Sequence, residues 1–132
     1  MTIAPQDVKQ VIVIRRDLNM RRGKEIAQGA HASSAWLAEI VASQLAGGAV
    51  PPIDEAAAVW ITTSHRKITL QIRGDEELVA LHEKACALGI RSHLITDSGR
   101  TEFDGVPTRT ALALGPALSS QIDQVTGDLS IY

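Results

Sequence analysis

The sequence predicts a single layered α/β domain, and three observations support this fold class. The chain has 132 residues, which is enough for one domain but not for two. Short β-branched runs alternate along it with longer stretches that have helical spacing. Hydrophobic residues make up 45% of the chain and charged residues 21%, as in an ordinary globular protein, and no apolar run reaches the length of a membrane span.

The first third of the chain is predicted to form a strand followed by a long helix. Residues 9–14 (KQVIVI) are typical of a strand buried on both sides, so residues 1–8 are treated as a tail and residues 9–132 as the domain. After Gly23, a helix is predicted from Lys24 to about Leu45. We expect its apolar side to contain Ala27, Ala30, Ser34, Leu37, Val41 and Leu45. Its polar stripe is expected to contain Lys24, Gln28 and His31.

The remaining elements follow from apolar runs and from residues that begin or end helices. In chain order, we predict a short helical turn at residues 54–58, a strand at residues 67–72 (KITLQI), a helix N-capped by Asp75 and ended by Gly89, a strand at residues 93–96, a strand at residues 110–114 (TALAL) closed by Gly115, and a helix at about residues 119–125. The N-terminus lacks the pattern of a signal peptide, and we expect a cytoplasmic protein.

The charge distribution permits a polyanionic partner. A formal net charge of −2 excludes a uniformly basic coat. Basic residues nevertheless cluster in one stretch, at Arg15, Arg16, Arg21, Arg22 and Lys24, with a looser group at Arg91, Arg100 and Arg109. A polyanion-binding surface and a solvated basic loop both fit this clustering equally well.

Several common site chemistries are not indicated by the sequence. Gly23-Lys24 lacks the rest of a phosphate-binding P-loop, because Leu18 and Glu25 occupy positions that need a glycine and a hydroxyl. No histidine pair has metal-binding spacing, so we predict neither a metal nor a cofactor. The single cysteine, Cys86, excludes an internal disulfide, and its place in an amphipathic helix predicts a buried, inert thiol.

Two polar segments follow predicted strands, where α/β sheets bind ligands. Lys24 lies at a helix N-terminus, where the dipole disfavours an ammonium and eases loss of its proton. The alternative is that Lys24 points into water. Residues 97–101 (DSGRT) offer a carboxylate, a guanidinium and two hydroxyls, although Asp-Ser-Gly is also a common turn sequence.

Two motifs in order identify a resemblance to a known family. The first is R-x-D-L-x-M-x-x-G-K-x-x-A-Q-x-A-H-A over residues 15–32, and the second is D-x-G-R-T over residues 97–101. Together with KITLQI, TALALGPA and the closing IDQVTGDLSIY, they resemble the Pth2-type peptidyl-tRNA hydrolase family. The resemblance covers nearly the whole chain apart from residues 1–8 and about 47–66.

The resemblance implies an enzyme that cleaves the ester joining a peptide, or an N-blocked amino acid, to the 3′ end of tRNA. It implies a three-layer α/β/α domain with a mixed four-stranded sheet, a homodimer and no metal requirement. The family's catalytic residues fall on Lys24, Asp97, Thr101 and Thr110. Its helix glutamine and histidine fall on Gln28 and His31, and we expect Arg15, Arg16, Arg22 and Arg100 to hold tRNA phosphates.

Ester hydrolysis needs an activated water, oxyanion donors and a proton for the leaving oxygen. We expect Asp97 to accept a proton from water, the two threonine hydroxyls to position that water or to donate to the carbonyl, and Lys24 to stabilise the oxyanion or protonate the ribose oxygen.

One departure from the family pattern leaves other functions open. Glu102 stands where the family usually has glutamine, which adds a negative charge beside the predicted site. A divergent tRNA- or protein-binding module with little hydrolysis is therefore the main alternative. A hydrolase of another small ester or amide is a further one.

Overall fold

The computed structural model describes residues 2–132. Its helices and strands are, in chain order, β1 (Val8–Arg15), α1 (Arg22–Leu45), α2 (Glu55–Thr62), β2 (Lys67–Ile72), α3 (Asp75–Ala87), β3 (Ser92–Asp97), β4 (Thr108–Leu118) and α4 (Ser119–Thr126). Short 3₁₀ turns lie at Pro5–Asp7 and Phe103–Gly105. None of the helices in this part of the chain is long and apolar enough to cross a membrane.

The four strands form one mixed sheet in the order β2-β1-β4-β3. β1 and β2 are parallel, whereas β4 is antiparallel to both β1 and β3. As a result, the C-terminal ends of β1, β2 and β3 and the N-terminal end of β4 lie at the same end of the sheet. Gly115, which closes the predicted strand at residues 110–114, therefore lies towards the opposite end of the sheet. The mixed four-stranded sheet is confirmed.

Helices cover both faces of the sheet, which confirms the three-layer prediction. On one face, Leu78 of α3 and Ile122 of α4 pack against the side chains of Val11 and Leu112. On the other face, α1 and α2 contribute to two smaller buried clusters that contain Ala32, Trp36, Ile40, Ala57 and Trp60. The α1 side of the sheet is the one that carries the site.

The predicted apolar face of α1 is wrong. The buried residues of this helix are Gln28, Ala32, Trp36 and Ile40, spaced four apart. Lys24 begins the same row, so two residues of the predicted polar stripe, Lys24 and Gln28, lie on the buried face, whereas His31 is exposed. Val41 and Leu45, predicted to be buried, are 49% and 83% exposed. A pattern of hydrophobic residues alone misleads here because the buried row begins with the polar side chains of the site.

Element boundaries differ from the predictions where tertiary contacts decide them. β1 begins at Val8, one residue inside the predicted tail, and Val8 is fully buried. Gly74, not Asp75, is the N-cap of α3, and the Asp75 carboxylate accepts from Arg109. β4 continues past Gly115 to Leu118, since its pairing with β1 resumes after a shift in register.

Candidate active site

Lys24 and Asp97 are far apart in the chain, and their side chains meet at the C-terminal end of β3. Lys24 lies in the first turn of α1, and Asp97 is the last residue of β3. Lys24 Nζ donates to Asp97 Oδ1 at 3.0 Å and to Thr101 Oγ1 at 2.9 Å. The Lys24 and Asp97 side chains are only 13% and 14% exposed. Lys24 thus does not point into water, and its third N–H remains available for a substrate.

Asp97 is held as a carboxylate by three donors. Besides Lys24, Gln28 Nε2 donates to Oδ1 at 3.2 Å, and the Gly99 backbone N–H donates to Oδ2 at 2.9 Å. The Lys24 hydrogen bond, followed by that of Gly99, lowers the pKa of Asp97 below its ordinary value of 3.8. Gly99 has φ +82°, and a Cβ there would lie 2.3 Å from the Val106 carbonyl oxygen, so this turn requires glycine.

Thr110 reaches the site through an irregularity in β4. Ile95 pairs with Ala111 and Thr96 with Arg109, so Thr110 lies between two successive pairs, as in a β-bulge. A bulge redirects a side chain, and Thr110 Oγ1 donates to Gln28 Oε1 at 2.5 Å on the α1 side of the sheet. Thr110 is fully buried. It therefore contacts Gln28 and acts on Asp97 only through it.

Phe103 is a neighbour of the site that sequence reasoning missed. Its ring centroid lies 5.9 Å from Lys24 Nζ, within the range of a cation–π contact. The ring also packs against the cluster that contains Ile14 and Met20. No local pattern signals this contact, because it depends on the turn after Thr101 folding back over α1.

Arg15 is placed in the interior, unlike a phosphate-binding residue. Its side chain is 10% exposed, and its guanidinium binds Asp17 through two hydrogen bonds of 2.6 and 3.1 Å. A third bond of 2.9 Å reaches the carbonyl of Arg109. With its donors occupied, Arg15 joins β1 to β4, and the geometry does not favour its predicted contact with tRNA.

The other predicted basic residues lie at the surface. Arg22 and Arg100 are exposed. The Arg16 guanidinium lies 4.2 Å from the ring centroid of Tyr132, whose hydroxyl bonds to Glu25. Arg73, which sequence analysis did not single out, is also exposed and follows β2 at the end of the sheet where the site lies.

His31 and Cys86 lie outside the Lys24–Asp97 cluster. His31 is exposed and lines a groove of about 490 Å³ that begins at Gln28 and Asp97. Cys86 is exposed, so the prediction of a buried thiol is wrong; its helix packs on the sheet through Leu78 and Ala85 instead. The Cys86 Sγ lies 3.8 Å from His82 Nε2.

Glu102 is engaged by a neighbouring arginine. Arg21 Nε donates to Glu102 Oε1 at 2.7 Å, and the Glu102 side chain is 18% exposed. The extra negative charge predicted beside the site is therefore balanced by a cation from the start of α1. This pair also ties the loop after Thr101 to the residue that precedes the helix.

The fold and the site together define a small α/β protein with an ammonium, a carboxylate and a hydroxyl at the strand ends. A family model described as "Peptidyl-tRNA hydrolase PTH2" matches residues 8–132. The chain belongs to this family.

Curated relatives cover the same length of chain. A peptidyl-tRNA hydrolase of Methanopyrus kandleri is 41% identical over 93% of this chain and 97% of its own length. Peptidyl-tRNA hydrolase 2 of Saccharomyces cerevisiae is 34% identical over 97% of this chain and 60% of its own length. A solved structure of a protein of unknown function from Agrobacterium tumefaciens has a TM-score of 0.61 at 13% identity, covers 96% of this chain and 98% of that one, and supports the fold alone.

Proposed function

We propose that this protein hydrolyses the ester bond of peptidyl-tRNA and releases free tRNA and peptide. The observation that carries the proposal is the Lys24 ammonium, which hydrogen bonds to Asp97 and Thr101 hold at the C-terminal end of β3. Family membership over residues 8–132 supports the same substrate class.

Lys24 is the electrophilic group of the proposed mechanism. Two of its N–H bonds are used within the protein, and the third can donate to the ester carbonyl oxygen as negative charge develops there. The Thr101 hydroxyl accepts from Lys24, which leaves its own hydrogen free to donate to the same oxygen. Two fixed donors at one oxygen favour the tetrahedral intermediate over the planar ester.

Asp97 orients the attacking water through Oδ2, which within residues 2–132 accepts a hydrogen bond from the Gly99 N–H alone. The water oxygen attacks the carbonyl carbon, and its proton passes to the carboxylate. When the intermediate collapses, the acyl–oxygen bond breaks, and the proton that Asp97 took from water passes to the ribose oxygen. The lowered pKa of Asp97 makes it a weak base, so its larger contribution is to hold the Lys24 ammonium.

Gln28 and Thr110 are positioning residues in this scheme. Gln28 is 3% exposed and bridges Thr110 to Asp97 by its amide. Fixing Gln28 from both ends fixes the carboxylate relative to Lys24, which is the role of supporting hydrogen bonds around a catalytic group.

The tRNA is proposed to lie on the cations around the site. Arg22 and Arg100 are exposed and Arg16 is half-buried, and contacts from such residues bind phosphates without reading sequence. Affinity for tRNA should therefore fall steeply as salt is raised. A flat response to salt would instead support a small uncharged ester as the substrate.

The deciding assay is release of tRNA from N-acetyl-aminoacyl-tRNA. Wild-type protein should hydrolyse it, and Lys24→Ala should lose most of the turnover while remaining folded. Lys84→Ala, at an exposed site on α3, is the matched control and should behave as wild type. Wild-type turnover by Lys24→Ala would remove the lysine from the mechanism.

The binding-module alternative depends on Glu102, and the ion pair with Arg21 removes its main support. If Glu102 nevertheless suppressed catalysis, wild-type protein would bind tRNA without turnover and Glu102→Gln would restore hydrolysis. We expect the wild-type protein to be active and Glu102→Gln to change kcat little.

A homodimer and a cytoplasmic location are further parts of the proposal. Exposed apolar side chains on α1, such as Ile26 at 67% exposure and Leu45 at 83%, support association through this helix. Sedimentation velocity measures the association state, and a monomer at micromolar concentration would contradict it. Fluorescent tagging tests the location.

A further inference from the structure

The groove beside the site runs along an unpaired edge of the sheet. Its walls are five consecutive residues of β3 and the following loop, Leu94 to Ser98, and the side of α1 that carries His31, Ser34, Ala35 and Ala38. β3 is the last strand in the sheet order, and no strand of residues 2–132 pairs with its outer edge. The opposite edge differs, because β2 pairs there with Ile131.

The backbone groups that face the groove can be assigned from the ladder. Gly115 N–H donates to the Arg91 carbonyl at 2.9 Å, in register with the pairs His93–Ala113 and Ile95–Ala111. Hydrogen-bonded pairs alternate along an antiparallel ladder, so His93 and Ile95 bond to β4. The N–H and C=O groups of Leu94 and Thr96 then point away from β4, into the groove.

The groove is continuous with the active site, and the basic side chain that lines it is His31. Gln28 and Asp97 line its inner end, and the residues that line it include no lysine or arginine. The cations proposed for tRNA phosphates therefore lie elsewhere, which leaves this groove for the other half of the substrate. Between Gln28 and Ala38, α1 rises roughly 15 Å, long enough for about four residues of extended chain.

We propose that the peptide of peptidyl-tRNA binds in this groove as an added strand on the outer edge of β3. This inference rests on the proposed function and names how its peptide half is recognised. β3 runs towards Asp97, and the C-terminal acyl carbon of the peptide must also reach Asp97, so the two strands are parallel. Main-chain hydrogen bonds to Leu94 and Thr96 give affinity without reading side chains. This suits a substrate class whose peptide sequences vary without limit.

The direction and register of the added strand make a specific prediction. In parallel pairing, a peptide residue opposite Ile95 donates its N–H to the Leu94 carbonyl and accepts from the Thr96 N–H. The next residue along the peptide points its backbone groups away from β3. Peptide amides should therefore matter at every second position.

An N-methyl scan of the substrate tests this periodicity. The substrates are N-acetyl-tetra-alanyl-tRNAs in which each amide in turn carries a methyl group, with N-acetyl-alanyl-tRNA as the short reference. With wild-type protein, we expect kcat/KM to fall about 3- to 10-fold at alternate amides and less than 2-fold at the amides between them. Replacing alanine side chains by serine or valine should change kcat/KM less than the sensitive methyl groups do.

A protein variant gives an independent measurement. Thr96→Pro removes an outward N–H without touching the β4 pairing, which is where an edge strand tolerates proline. We expect KM to rise more for the tetra-alanyl substrate than for N-acetyl-alanyl-tRNA, whereas Lys84→Ala, outside the groove, should leave both values as in wild type. If Thr96→Pro does not fold, the N-methyl scan on wild-type protein still decides.

The outcomes separate the two proposals. Release of tRNA from every substrate with a flat N-methyl scan would overturn strand addition and leave the hydrolase proposal standing. Failure of wild-type protein to release tRNA from any substrate, including N-acetyl-alanyl-tRNA, would overturn the hydrolase proposal and this inference with it.

Discussion

Replacing Thr110 by valine tests whether this residue positions Gln28 or reacts with substrate. Valine has nearly the same shape but no hydroxyl, so Gln28 Oε1 loses the donor that lies 2.5 Å away in a fully buried position. An unsatisfied buried acceptor costs about 1–3 kcal/mol. If that whole cost appears in the transition state, kcat falls about 5- to 150-fold.

The assay is single-turnover hydrolysis of N-acetyl-aminoacyl-tRNA, with urea unfolding measured in parallel. Thr110→Ser keeps the hydroxyl and should recover most of the activity. Gln28→Met should cost at least as much as Thr110→Val, because it also removes the hydrogen bond to Asp97. The double variant should cost little more than Gln28→Met alone, because Thr110 acts through Gln28. Two outcomes would refute the reasoning: full activity of Thr110→Val, or a loss as complete as that of Lys24→Ala.

Other substitutions and conditions have equally defined outcomes. Gly99→Ala should lower both thermal stability and kcat, because its methyl group collides with the Val106 carbonyl and displaces the N–H that binds Asp97. Arg15→Met should destabilise folding in urea titrations yet leave tRNA affinity in filter binding unchanged, since this guanidinium is buried. Asp97 and Asp75 have pKa values lowered by hydrogen bonds from Lys24 and Arg109, respectively. These two carboxylates contribute their full stability to the folded protein above the ordinary aspartate pKa, and this contribution is lost as the pH falls through their lowered pKa values. The urea concentration at the unfolding midpoint should therefore decrease once the pH is below about 4. An unfolding midpoint that stays constant down to about pH 2 would contradict this assignment.

Local signals predict the strands well and the long helix in outline. The β-branched run of β1 and the alternating pattern of β2 are properties of short segments, and β2 matches its predicted bounds, residues 67–72. The resemblance in two motifs also named Lys24 and Asp97, which the structure brings together. In these cases, the information lies within a few consecutive residues.

What the sequence does not predict depends on contacts between distant segments. The buried face of α1 contains Gln28 because Thr110 and Asp97 satisfy its amide, and neither partner is visible in the helix itself. The reorientation of Thr110 depends on a shift in pairing between β3 and β4. The partner of Glu102 is Arg21, which lies 81 positions away.

The placement of β4 has a bearing on how the molecule is assembled. This strand is the last of the four to be synthesised, yet it lies between β1 and β3 and joins them. Until β4 is synthesised, β3 has no strand to pair with, and Gln28 lacks the hydroxyl of Thr110. The pair of β1 and β2 then cannot be joined to β3. Catalytic activity should therefore appear only once this central strand has been inserted into the sheet.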